Sequence, residues 1–226
     1  MNIAARDLLG KVIERVRTAN LPQIAYFIEL LHRAVDIEGV ESVFQRILQR
    51  DDEMALDHLM EIRYGMLFKS SGFSAQFEPT GSKGPDLLVK RDGVSAFVEV
   101  KRYRPKEGEC IPETWGPHET LPQYGDPATA QERIANDLLS KLRQIEARGG
   151  VAHGILALWS DREYFEDVEF ECAVRQISDE AAGKGLQFCI FGSNYVSAGL
   201  NQRFSCEPVG LLATLNGWME DIRAAD

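Results

Sequence analysis

The chain has 226 residues, 44% hydrophobic and 27% charged, enough to bury a substantial core in one large domain or in a catalytic domain with an appendage. Its formal net charge of −10 argues against a uniformly basic, nucleic-acid-coating surface, and no apolar run is long enough to span a bilayer. Cys110, Cys172, Cys189 and Cys206 are scattered without paired spacing, as are His32, His58, His118 and His153. That dispersal speaks against a disulfide framework and a finger-like zinc site. With a start that lacks a signal-peptide pattern, it gives a cytoplasmic protein as the expectation.

In chain order, apolar residues recur at helical spacing over residues 4–17, 22–35 and 40–49, with Pro22 suited to a first-turn position. The second of these segments is strongly apolar (Ile24, Phe27, Ile28, Leu30, Leu31) and is expected to bury against the core, with a second subunit as the other option. Asp51, Asp52 and Glu53 mark the start of a fourth helix that carries Glu61 and ends near Gly72, because acids favour the positive end of a helix dipole. Residues 73–78, 87–91 and 94–98 read as strands, and Asp92-Gly93 is the dipeptide of a two-residue type I′ hairpin turn. A proline-rich irregular segment, 103–128, follows, with Trp115, His118 and Tyr124 available over a site or packed locally. Beyond it, the pattern predicts a helix over 131–148, a buried strand over 151–159, a helix over 168–182, a strand over 187–191 and a terminal helix over 211–222.

The hairpin turn fixes a register. If Arg91 faces Val94, then Lys90 faces Ser95, Leu88 faces Phe97 and Asp86 faces Glu99. Two acids so paired repel unless something neutralises them, and a divalent cation would. Strand alternation puts Lys101 on the face of Glu99, and Leu87, Val89, Ala96, Val98 and Val100 on an apolar opposite face. Hard cations such as Mg²⁺ take oxygen ligands, so Asp86, Glu99 and the Val100 carbonyl form a candidate site, with Mn²⁺ as a substitute metal. Lys101 would orient or activate a water beside it.

Pro85-Asp86, a hairpin-length gap and Glu99-Val100-Lys101 together resemble the PD-(D/E)-x-K nuclease superfamily, and the resemblance extends over about residues 51–192. It implies a restriction-endonuclease-like α/β fold, a mixed central sheet flanked by helices, here with an N-terminal helical extension. It also implies that Glu61, on the preceding helix, binds or supports the metal. The alternative for Glu61 is an exposed helix acid paired with Arg63 or Lys69.

The expected organisation is a helical extension over residues 1–50 and a catalytic domain over 51–226. Between Lys83 and Lys106 seven basic residues stand against three acids, making Lys83, Arg102, Arg104 and Lys106 candidate phosphate contacts; the same strip would also serve to keep a sheet edge from aggregating. The expected activity is Mg²⁺-dependent endo- or exonucleolytic hydrolysis, with DNA as the expected nucleic acid and room for a homodimer. The competing class is an inactive nuclease-fold module that binds nucleic acid or protein.

Overall fold

The computed structural model describes residues 3–19, 21, 24–79, 81 and 84–102, the segments 154–160, 186–193 and 202–205, and the helical positions Glu132, Ala135, Asn136, Leu139 and Ser140. Helices α1 (Ile3–Thr18), α2 (Ile24–Ala34), α3 (Val40–Gln49) and α4 (Asp52–Ser70) precede strands β1 (Ser74–Phe77), β2 (Leu87–Arg91), β3 (Val94–Arg102), β4 (Gly154–Ser160), β5 (Leu186–Ser193) and β6 (Gln202–Ser205). The strands form one mixed sheet in sequential order: β1, β2 and β3 are antiparallel, β3, β4 and β5 parallel, and β6 antiparallel to β5. The class is mixed α/β. The predicted 168–182 and 211–222 helices, the 103–128 segment and most of the 131–148 helix lie outside the described residues. Strand β6 is an element the sequence pattern did not mark.

Helix α4 is the centre of the fold. Asp51 caps it by accepting a hydrogen bond from the Met54 N–H at 2.8 Å, with Asp52 and Glu53 in its first turn. From Leu59 to Phe68 every residue is buried. A helix buried all round lies between two layers: α2 and α3 pack on one side and β1, β2 and β3 on the other. Gly65 permits the close approach to the sheet, since a Cβ there would come within 2.6 Å of the Phe77 ring and 3.1 Å of the Leu87 side chain.

One hydrophobic cluster runs from Ala5 through Phe27, Val43, Phe44 and Leu59 to Val89, Val98 and Ala157, so the core is continuous across residue 50. The apolar face of α2 is used within the chain, where Phe27, Leu30, Leu31 and Ala34 are buried. Among the described residues no helix is long and apolar enough to cross a membrane.

The α2–α3 connection adds to the edge of the sheet: Glu38 bridges Gln76 in parallel, and the Phe77 N–H donates to the Glu38 carbonyl at 2.8 Å. Gly39, at φ 80°, backs directly onto the Phe77 carbonyl oxygen, where a Cβ has no room. Gly72 has a similar φ of 85° but open space around it. The two glycines separate conformational strain from steric overlap. Gly72→Ala is expected to cost roughly 1 kcal/mol, and Gly39→Ala clearly more, about 2–3 kcal/mol or above, in urea unfolding. Equal costs would remove the proposed close contact between α3's entry and β1.

Candidate active site

The β2–β3 register is the predicted one: Arg91 faces Val94, Lys90 faces Ser95, Leu88 faces Phe97 and Leu87 faces Val98. Asp92 and Gly93 both have positive φ, 52° and 80°, as a type I′ turn requires. The next step beyond Leu87 and Val98 sets Asp86 opposite Glu99. Counting from the turn, that step is a non-hydrogen-bonded pair, the kind in which Cα atoms approach to about 4.5 Å.

Pro85 would form the following, hydrogen-bonded pair with Val100, but proline has no N–H to give. A proline at 85 cannot serve the Val100 carbonyl, and the Val100 N–H donates to the Asp86 carboxylate, Oδ2, at 2.7 Å. On the other flank, the Glu78 N–H donates to the Asp86 carbonyl at 2.9 Å. Asp86 is therefore held by its backbone to β1's end and by its side chain to β3, between Glu99 and Lys101.

Alternation along β3 sorts the rest. Leu87, Val89, Ala96 and Val98 are fully buried on the α4 side, as expected, with Val100 partly buried. Glu99 and Lys101 point to the other face, and Glu99 is only 4% exposed. Asp86, Glu99 and the Val100 carbonyl are hard oxygen donors suited to Mg²⁺. Among the described residues no group of three or more His, Cys, Asp or Glu side chains is placed to hold a metal ion.

Arg102 falls on the α4 side, where its guanidinium, 9% exposed, pairs with Glu53 at 3.4 Å and Asp57 at 3.8 Å. These pairs tie β3 to the start of α4. Arg91 likewise lies over the Phe73 ring, 5.4 Å from its centroid, and donates to the Ser71 carbonyl. Lys83, Arg104 and Lys106 lie outside the described residues.

Glu61 is not an exposed helix acid, and neither Arg63 nor Lys69 is the partner the structure gives it. Its Oε2 pairs with Arg46 Nη2 at 2.6 Å and its Oε1 lies 2.8 Å from His58 Nδ1. Arg46 also reaches Glu78, Nη1 to Oε1 at 2.9 Å. No local pattern marks this cluster, since Arg46, Glu61 and Glu78 come from α3, α4 and the end of β1. Burial, with Glu78 and Asp57 nearby, pushes the Glu61 carboxyl up to about 8 against the opposing pull of Arg46. Burial, and then Arg46, lowers His58 to about 4.

Comparison with known proteins found no matching family model, curated protein or solved structure.

These two shifts act oppositely on stability. Glu61 holds its proton more tightly when folded, so the fold loses stability as pH rises from 4.5 to about 8. His58 holds its proton less tightly when folded, so the fold gains stability from about pH 4 to 6.5. The slopes offset each other between 4.5 and 6.5, leaving a net loss above 6.5. Urea unfolding at pH 6.5 and 8.5 should show a loss of roughly 1–2 kcal/mol that Glu61→Gln reduces. The same loss in Glu61→Gln would mean that another group titrates.

Proposed function

We propose that the chain is a divalent-cation-dependent nuclease of the PD-(D/E)-x-K type, with a restriction-endonuclease-like core, that hydrolyses phosphodiester bonds of DNA. The observation that carries this is the Asp86 carboxylate fixed on the N–H of Val100, the residue between Glu99 and Lys101. Two carboxylates brought to the end of the β2–β3 ladder beside a backbone carbonyl are the hard oxygen donors that a divalent cation takes.

Asp86, Glu99 and the Val100 carbonyl are the proposed ligands. When bound there, a divalent cation supplies electrostatic stabilisation of the phosphate and leaving oxygen. Lys101, two residues from Glu99 on the same face, holds the attacking water by a hydrogen bond and faces the developing negative charge. The water oxygen bonds to phosphorus and gives up a proton to solvent, one ester P–O bond breaks, and the departing oxygen takes up a proton from solvent. Glu61, with both oxygens engaged by Arg46 and His58, supports the scaffold rather than joining the ligands.

Cleavage of single-stranded, duplex and branched DNA and RNA is to be measured with Mg²⁺ or Mn²⁺. Asp86→Asn, Glu99→Ala and Lys101→Ala should each lower it by about a hundredfold or more. Their urea midpoints should change little, or rise where repulsion between the acids is relieved. Full metal-dependent activity in Glu99→Ala would overturn the mechanism. A wild-type protein that neither cleaves nor binds the metals by calorimetry would favour the binding-module alternative.

A further inference from the structure

Asp86 is fixed through a chain of contacts that begins on a helix outside the motif. The Arg46 guanidinium, on α3, hydrogen-bonds Glu61 through Nη2 and forms an ion pair with Glu78, Nη1 to Oε1 at 2.9 Å, in which Glu78 Oε1 lacks hydrogen-bond geometry. Glu78 follows β1 directly and sits at φ 43°, in the left-handed region that a non-glycine residue adopts only when its surroundings hold it there. That conformation turns the chain out of β1, with the Gly81 N–H donating to the Glu78 carbonyl at 3.0 Å, and keeps the Glu78 N–H on the Asp86 carbonyl. Asp86 in turn receives the Val100 N–H. The Glu78 side chain is 11% exposed, so its charge depends on Arg46 for compensation.

We propose that Arg46 is a positioning residue for Asp86, acting through Glu78: by anchoring the Glu78 carboxylate it holds the left-handed turn that orients Asp86 toward Val100. Its importance for catalysis rests on the nuclease function proposed above, whereas the positioning itself does not. A planar guanidinium with two separate nitrogens can serve both acids at once, which a lysine ammonium on one flexible stem does less well.

Hydrogen exchange of single amides in the metal-free full chain tests this without any activity. The reporter is the Val100 N–H, and Val89 and Ala96, a hydrogen-bonded pair within the same hairpin, are the controls. In Arg46→Gln the Val100 amide should exchange about tenfold faster or more while the controls hold. Because Arg46→Gln leaves two buried acids without their cation, it can fail to fold, and Glu78→Asn keeps the question open to decision. Asparagine tolerates the left-handed turn but is too short to reach Arg46, and the Arg46–Glu61 pair stays intact. Glu78→Asn should again release Val100 selectively. An unchanged Val100 in Glu78→Asn, or equal acceleration of Val100, Val89 and Ala96, would overturn the proposal. Selective release of Val100 in a chain that shows no cleavage would uphold the positioning and reject the nuclease function alone.

Discussion

Burial of α4 on two sides is the constraint from which the rest follows. A helix enclosed from Leu59 to Phe68 cannot leave a carboxylate unattended in its middle, because desolvation of a charge costs several kcal/mol unless it is neutralised or paired. Glu61 is satisfied in both ways, with its proton held to high pH and Arg46 and His58 against its two oxygens. Arg46 must then lie at the junction of α3, α4 and β1, and its second nitrogen is there for Glu78. The helical layer is thereby coupled to the strand end where the acids of the PD motif stand.

Pro85 and Asp86 have complementary effects on the ladder. A residue with an N–H at position 85 could continue pairing with Val100 and extend β2. Proline withholds the N–H that the Val100 carbonyl would receive, and the carboxylate of the aspartate that follows accepts the Val100 N–H at 2.7 Å. The motif thus has a structural logic apart from any metal: it converts a backbone acceptor into a carboxylate at the edge of a site. Glu99 and Lys101 need no such device, because strand alternation alone puts them on a common face.

Local signals in the sequence were sufficient for much of this. Asp92-Gly93 specified the turn, and through it every pair from Arg91 and Val94 to Leu87 and Val98. The acidic cap at Asp51 and the breaker at Gly72 bounded α4. Contacts between distant segments were illegible for a physical reason: they depend on which side chain a tertiary layer presents, and periodicity carries no information about that. Arg46 reads as one polar residue of an amphipathic helix, and Arg102 as one more cation in a basic strip, until α4 is laid over the sheet. Strand β6 is four residues long and contains only one strongly apolar residue, Phe204, so alternation had too little to register.

The fate of the arginines bears on how a polyanion would be recognised. Arg102 faces Glu53 and Asp57, Arg91 covers Phe73, and Arg46 joins Glu61 and Glu78, so three cations near the hairpin serve the fold. Lys90 is exposed and Lys101 partly so. An acidic chain that commits these guanidiniums internally gains little phosphate affinity from counter-ion release on this part of its surface. In the proposed nuclease, phosphate capture at Asp86 and Glu99 would then depend chiefly on the charge that a cation brings to them. The same two carboxylates that would repel a bare phosphate become its attachment point once a divalent ion is held between them.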